Sequence, residues 1–526
     1  MPKVPKVKKK GTTVNRQRTV RLDYLLKGLG ILEQHGRGDL EIKGLTNDSR
    51  AVKKGDLFVA VKGSSQDGHR YLAHAVQRGA HVLVVENVDR VFRGVTVVRV
   101  PDTRAVLFEL AARFYSYPAK DITLIGITGT NGKTTTSYIL ESMLKEAGRE
   151  VGLIGSVSYR FEGKSLSSSL TTPESTDLMR IMREMRDAGV SDIIAEVSSH
   201  SLDQGRTRGL NWSRAIFTNL SRDHLEYHAT MEEYFKAKSL LFHSLGEDKE
   251  RDQAKAVINM DDPKGKVLEK ITKVPVVTYG LKDDCLVRAT DIECCERGVR
   301  FTLVTPSGDA PITSSLLGQI NVYNILGAAA TAFSLNIDLE IIARGIKRLY
   351  NVPGRLQAVE NKRGLSVYVD YAHTPDALEK VLQTLIGLRR TKARLITVFG
   401  CGGDRDRGKR PDMGRAAGNY SDLAIITSDN PRGEDPAEIA DSVELGMKES
   451  GLKRIESGRS YAERGYEIIL DRRKAIHAAI NMAQRQDIVL IAGKGHEDYQ
   501  IVGNRKTHFD DVEEAALAIN AARRNA

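Results

Sequence analysis

Cysteine is scarce in this 526-residue chain: Cys285, Cys294, Cys295 and Cys401 are the only four, and none forms a CxxC pair. That excludes a disulfide scaffold and suits a reducing compartment such as the cytosol. No apolar run is long enough to span a bilayer, so membrane insertion is not expected. Acidic residues are missing from the first 21 positions, which hold Lys3, Lys6, Lys8, Lys9, Lys10, Arg16, Arg18 and Arg21. Eight of the formal +11 charges therefore sit there, leaving +3 for everything else. The body is close to neutral, and no nucleic-acid partner is expected. The same stretch lacks the apolar segment of a secretory signal and reads as a disordered basic tail over 1–21, with incidental anion binding as the alternative. Short-period repeats are absent, as is low complexity outside that tail.

What is present is organised around residues 121–136, DITLIGITGTNGKTTT. The β-branched run over 122–127 predicts a buried strand, and 137–147 predicts a helix after a glycine turn. Strand, glycine loop and helix in that order make a phosphate cradle. Glycines let backbone N–H groups approach an anion, the helix N-terminus adds partial positive charge, Lys133 reaches outer phosphates, and Thr134 offers a hydroxyl to Mg²⁺. The spacing departs from the commonest loop of this kind, because Ile127 stands where a glycine is usual and the glycine comes one earlier, at Gly126.

Length predicts three domains at about 100 to 200 residues each. Residues 22–120 alternate short strands with helical stretches, a small α/β domain whose polar loops at 46–50 and 61–70 lie beside strands. Residues 121–352 carry the phosphate loop and strands at 192–196 and 214–219. Residues 353–526 alternate again, with strands at 365–370, 394–399, 423–427 and 488–492. The last two regions predict open, largely parallel sheets, the fold class being α/β throughout.

Chemistry-bearing side chains cluster after strands. Glu196 ends one and is followed by Ser198, Ser199 and His200, at the edge where doubly wound sheets hold phosphate and metal. Asp223 and His224 follow another; His224 reads either as a metal ligand or as a structural histidine. Lys238 lies in an apolar helical stripe with Met231, Tyr234, Phe235, Leu241 and Phe242. It either snorkels to water, which spacing alone favours, or stays neutral and takes up CO₂ as a carbamate, an acidic metal ligand. Loops at 400–410, 428–433 and 493–497, glycine-rich or basic, predict a site for a charged ligand facing the central region.

Taken together, Gly129 to Thr135, Glu196 to His200, Asp223-His224, Asn321 to Asn324, Val352 to Arg355 and Asp370 to Pro375 resemble, in that order, the Mur ligase family. The resemblance runs from about residue 22 to the C-terminus. Asp429-Asn430-Pro431-Arg432 resembles the motif of the branch that adds meso-2,6-diaminopimelate rather than L-lysine. The implied fold has an N-terminal uridine-nucleotide domain, a central P-loop ATPase-like domain and a C-terminal Rossmann-like domain, with hinge closure at linkers near Ala119 and Asn351. The implied activity is ATP-dependent addition of diaminopimelate to the D-glutamate γ-carboxylate of a UDP-N-acetylmuramoyl dipeptide through an acyl phosphate. The family places Lys133, Glu196, His224 and Lys238 in catalysis, with Mg²⁺ held by Thr134, Glu196, His224 and carbamylated Lys238. It places ATP at Gly129, Thr130, Asn131, Gly132, Lys133, Thr134, Thr135, Asn321, Arg355 and Asp370.

The nucleotide-sugar and muramoyl peptide carry over to Asn47, Ser49, Ser64, Ser65, Gln66, Thr171, Thr172, Ser198, Gln204 and Arg206. Leu170 stands where related enzymes can have asparagine, which removes a polar contact. Diaminopimelate carries over to Arg405, Asp429, Asn430, Pro431, Arg432, Gly493 and Glu497. Its second carboxylate calls for a planar guanidinium, here Arg432, while Glu497 can pair with an ammonium. A cytoplasmic monomer of peptidoglycan precursor synthesis, acting on small molecules only, is implied. Folylpolyglutamate synthase shares the phosphate loop, but the Asp48-Ser49-Arg50 loop and Asp429 to Arg432 argue against it. Intact Lys133, Glu196, His224 and Lys238 argue against a non-catalytic nucleotide binder.

Overall fold

A computed structural model describes residues 19–63, 66–168, 170–246, 253–389, 393–455 and 464–522. Ser64 and Ser65 of the expected nucleotide-sugar loop lie outside the described residues, as does the basic stretch through residue 18. Val20 and Arg21 pair antiparallel with Ile42 and Glu41, so regular structure begins before Leu22, where the tail was expected to end. The cause is apolar: Val20 is buried, and Leu22, Leu25 and Leu26 follow it into the core.

The chain forms two compact units. In the first, strands Glu33–His35, Thr96–Arg99, Val82–Val85, Asp56–Val59 and Gly44–Thr46 form one sheet in that order, parallel except for the first pair. Phe58, Leu72, Leu83 and Val85 fill its core. Glu174–Arg183 and Gln204–Gly209 also belong to this unit, although linear division leaves them in the central region. Within it the Ser175 hydroxyl donates to the Arg206 carbonyl at 2.9 Å and the Thr176 hydroxyl to Asn47 Oδ1 at 3.0 Å.

The second unit holds an 11-stranded and a 7-stranded sheet. The elements that position the site are, in chain order, β1 (Thr123–Thr128), α1 (Lys133–Glu146), β2 (Asp192–Glu196), β3 (Arg214–Phe217), α2 (Met231–His243), β4 (Ser366–Asp370), α3 (Pro375–Leu388), β5 (Leu395–Phe399), β6 (Leu423–Ile426) and β7 (Ile488–Ala492). In the larger sheet β2, β1 and β3 lie side by side and parallel, and antiparallel strands flank the parallel run at both edges. In the smaller one, β4, β7, β5 and β6 are parallel neighbours. Every residue of β2, β5, β6 and β7 is buried, which is why β6 and β7 are continuous apolar runs rather than alternating ones.

Two local details differ from expectation. Helix α1 begins at Lys133, four residues before the predicted start, because Gly132 adopts φ 86° and caps it. Its threonines are β-branched and scored as poor helix formers, yet α1 is anchored by the loop before it. The displaced glycine also has a packing cause. Gly126 lies in β1, where an added Cβ would sit 3.1 Å from both Trp212 and Leu241.

Candidate functional site

Strands β1, β2 and β3 deliver their C-terminal ends to one cleft of about 620 Å³, which is lined also by Asn321, Arg355, Asp370 and Tyr371. After β1 the chain turns at Gly129 (φ 147°), where any side chain would strike the Thr218 hydroxyl. The loop is held from below. Thr130 N donates to the Asn219 carbonyl at 2.9 Å, Asn131 N to Asn219 Oδ1 at 3.0 Å, and the Thr218 hydroxyl to the Asn131 carbonyl at 2.6 Å. Lys133 folds over it, donating to the carbonyls of Gly129 at 2.9 Å and Thr130 at 2.8 Å. Burial lowers the Lys133 pKa against the pull of Glu196 and Asp223. Thr135, the last residue of the expected loop, is buried in the first turn of α1.

Glu196, fully buried at the end of β2, meets this loop directly. Its Oε2 accepts from the Thr134 hydroxyl at 3.0 Å and the Ser156 hydroxyl at 2.9 Å, and its Oε1 accepts from Ser156 N at 3.1 Å. Arg355 Nη2 donates to the Thr134 hydroxyl at 3.1 Å. His224, in the left-handed region at φ 55°, lines the same cleft; its Nε2 lies 3.4 Å from Asp223 and its ring 4.8 Å from that of His200. A carboxylate and a hydroxyl at a helix N-terminus are hard oxygen donors that fit Mg²⁺. Among the described residues no three His, Cys, Asp or Glu side chains form a ready cage.

Lys238 approaches the loop from the opposite side. It is 2% exposed and its Nζ donates to the Gly129 carbonyl at 2.8 Å, above the Tyr234 ring at 4.4 Å. The snorkelling expectation therefore fails, because the amine ends on a buried carbonyl and not in water. Burial, reinforced by Lys133, drives its pKa well below the ordinary lysine value.

The remaining nucleotide residues divide. Asn321 Nδ2 donates to the Leu317 carbonyl at 2.8 Å and its Oδ1 accepts from Asn324 at 2.9 Å. Both oxygens of Asp370 are taken by backbone N–H groups, from Leu356 at 2.6 Å and Ala372 at 2.8 Å, so its first task is to hold the turn carrying Arg355. Burial raises its pKa. Arg355 lies over the Tyr371 ring at 4.8 Å.

A second cluster follows β5, β6 and β7. Asp429, Asn430 and Pro431 are buried and Arg432 is half-buried with φ 52°. Arg432 Nη1 donates to the carbonyls of Gly403 at 2.8 Å and Asn430 at 3.3 Å. Arg405 is exposed and bonds the Asp404 carbonyl at 3.2 Å, with Gly402 between it and Arg432. Asn430 Nδ2 donates to Glu497 Oε2 at 2.9 Å, and Gly493 (φ 114°) makes the turn after β7. Burial and then Asp429 raise the Glu497 pKa; Asp429 is held low, against burial, by Lys494 and Arg472.

Of the nucleotide-sugar and muramoyl residues, Asn47, Ser49, Gln66, Gln204 and Arg206 lie in the first unit and Thr171, Thr172 and Ser198 in the second. Ser49 Oγ lies 3.1 Å from His74 Nδ1, Gln66 accepts from Tyr71 at 3.2 Å, and Arg206 reaches both Gln204 and Glu174 at 2.9 Å. The Thr171 and Ser156 hydroxyls are 3.0 Å apart. Thr172 Oγ1 donates to the Glu196 carbonyl at 2.8 Å and accepts from Ser198 N at 3.0 Å. Leu170 is 42% exposed.

Comparison with known families then decides the family. The Mur ligase middle domain matches residues 127–332, the Mur ligase glutamate ligase domain 354–495, and the Mur ligase family catalytic domain 41–115. The chain belongs to the Mur ligase family. This Mur ligase is 46% identical, over 95% of its length and 98% of the relative's, to a protein of Geobacter metallireducens named UDP-N-acetylmuramoyl-L-alanyl-D-glutamate--2,6-diaminopimelate ligase. It is 47% identical, over 92% and 96%, to a protein of the same name from Geobacter sulfurreducens. A solved structure of a ligase of that name, 32% identical, aligns over 96% of this chain and 100% of its own with a TM-score of 0.65.

Sequence reasoning missed three side chains of this Mur ligase. Ser156 orients Glu196, Asp376 accepts from Asn131 Nδ2 at 2.8 Å, and Lys494 is buried among Asp429, Asn430 and Glu497. Lys494 stood inside the recognised 493–497 loop, and a lysine between glycines at a buried strand end was its available signal. Ser156 and Asp376 carried none.

Proposed function

We propose that this Mur ligase joins meso-2,6-diaminopimelate to the D-glutamate γ-carboxylate of UDP-N-acetylmuramoyl-L-alanyl-D-glutamate, converting ATP to ADP and phosphate. The observation that carries the reading is the union, in one unit, of a phosphate loop with an Arg432–Glu497 cluster, in a chain 46% identical to a ligase of that name.

The γ-carboxylate attacks the γ-phosphorus, giving an acyl phosphate and ADP. The amine of diaminopimelate attacks the acyl carbon, loses a proton, and expels phosphate. Such transfer asks for positioning and charge neutralisation rather than covalent participation of the protein. Loop N–H groups and Lys133 receive the phosphates. Thr134, Glu196 and His224, with Lys238 as a carbamate, would hold Mg²⁺, which when bound neutralises charge on the phosphoryl oxygens. Ser156 keeps both Glu196 oxygens aimed at the Thr134 side of the cleft. Arg355 and Asn321 line the nucleotide end, Arg432 receives the distal carboxylate of diaminopimelate, and Glu497 its ammonium. Asn47, Ser49, Gln66, Gln204, Arg206, Thr171, Thr172 and Ser198 are assigned to the UDP-sugar peptide. Boundaries near residues 120 and 352 divide nucleotide-sugar, ATP and amino-acid domains. We place the enzyme in the cytoplasm as a monomer of peptidoglycan precursor synthesis. Among the described residues no helix is long and apolar enough to cross a membrane.

Phosphate release by the purified protein with ATP, Mg²⁺ and the UDP-dipeptide, run against a panel of amino acids, tests this. Turnover with diaminopimelate is expected; turnover only with another amino acid, or none, rejects it.

A further inference from the structure

Lys494 has no part in the reaction just described, yet it is completely buried. Its Nζ lies 3.1 Å from Asn430 Oδ1, 3.3 Å from Asp429 Oδ1 and 3.5 Å from Glu497 Oε2. We propose that Lys494 is the positioning residue of the amino-acid pocket: together with Ile501 N it sets which way Asn430 faces, and it leaves the carboxylates around it one negative charge in excess, to be met by a substrate ammonium. This rests on the reading of the pocket given above.

The Asn430 amide is held in one orientation by its neighbours. Its Oδ1 accepts from Lys494 Nζ and from Ile501 N at 3.0 Å. Rotating the amide by half a turn would set its NH₂ against two donors, an ammonium and a backbone N–H, with no acceptor between them. The NH₂ is thereby committed to Glu497 Oε2, at 2.9 Å. Lys494 thus fixes Glu497 twice, by its own charge and through Asn430. Remove the ammonium, and Ile501 N alone is left to hold Oδ1 in that orientation.

Asp429 and Glu497 are two carboxylates, and Lys494 is the ammonium between them. Arg472, the next cation facing them, is fully buried and spent in a two-bond pair with Asp511 at 2.8 and 2.6 Å. The phenols of Tyr371 and Tyr499 face the same carboxylates, the His373 imidazole and the Cys401 thiol face Asp429, and Arg432 faces Tyr499. A buried excess of negative charge is costly unless paired. An amino group of the substrate pairs it. Without Lys494 one of the two carboxylates would instead take up a proton, and the pocket would lose its pull on an ammonium until alkaline pH removed that proton.

The test is steady-state kinetics of Lys494→Met beside the unmodified enzyme, with diaminopimelate and ATP varied separately from pH 7 to 9, and thermal melting of both. At pH 7 the diaminopimelate KM should rise at least roughly tenfold while the ATP KM changes less than about threefold, and the penalty should shrink toward pH 9. Lys494→Gln keeps a polar head near Asn430 without the charge, and is read in the same way if the methionine variant does not fold. A loss shared equally by both substrates and independent of pH would overturn the proposal, as would an unchanged diaminopimelate KM in an active enzyme. Failure of the unmodified protein to use diaminopimelate overturns the proposed function and this inference together.

Discussion

Lys133 and Lys238 donate to the same oxygen: the Gly129 carbonyl accepts from one at 2.9 Å and from the other at 2.8 Å. Two cations meeting at one acceptor repel, and desolvation already favours the neutral amine at both, at half-buried Lys133 and at buried Lys238. Lys238 is the more strongly displaced, and a neutral amine is a nucleophile toward CO₂. In the proposed carbamate the new N–C bond would form as the nitrogen gives up a proton, and its negative charge would relieve the repulsion.

Lys238→Ala is therefore expected to lose on the order of 10²-fold in kcat, the scale of a missing charge contact at a phosphoryl group. Formate or acetate should restore part of it by occupying the vacated acidic position. Near-normal activity in the alanine variant would dismiss the carbamate.

Selectivity at Arg432 follows from its fixed guanidinium, pinned through Nη1 to the Gly403 carbonyl. Lysine entering the pocket leaves that cation without the distal carboxylate, a penalty of about 1 to 3 kcal/mol and so at least roughly tenfold discrimination. Arg432→Ala and Arg432→Lys should raise the diaminopimelate KM far more than the ATP KM. Equal kcat/KM for lysine and diaminopimelate in the unmodified protein would falsify this assignment.

Asp376, at the start of α3, accepts from Asn131 of the phosphate loop and from the Ser221 hydroxyl, both at 2.8 Å. Asp376→Ala frees the loop and should raise the ATP KM roughly fivefold, about 1 kcal/mol for the lost bonds, with Asp376→Asn intermediate. An effect confined to the amino-acid KM would count against it.

Acid stability should report His496, whose pKa is lowered to about 3 by burial and then by Arg355. Because the unfolded chain binds this proton near pH 6.5 and the folded chain does not, stability is present above pH 6.5 and is lost as pH falls below it. The loss between pH 6.5 and 5 is about 2 kcal/mol. Melting curves over that range should lose part of their slope in His496→Gln, the remainder coming from His373, which burial lowers to about 4; an unchanged slope contradicts the assignment.

Much of the site was legible from local patterns. Helical and strand periods, glycine turns and polar residues after strands placed the phosphate loop, Glu196, His224 and the 429–432 and 493–497 loops at strand ends. The edge hairpins between residues 287 and 314 were not read, since alternation there is the ordinary mark of any half-exposed strand. Lys238 shows the limit in one side chain: its stripe was visible, but whether the amine reached water or a carbonyl was not.

By itself the sequence determined the α/β class, the cradle for a phosphate and, through its motifs, the family. Those are properties of contiguous residues, set by backbone preference and by turn chemistry within a few positions. The tertiary structure alone decided that Gly126 makes room for Trp212, that Asp376 holds Asn131 from 245 residues away, and that Lys494 lies beneath Asn430. Partners so distant meet only when parallel strands align their C-terminal ends, and no local periodicity records which buried donor will face which acceptor.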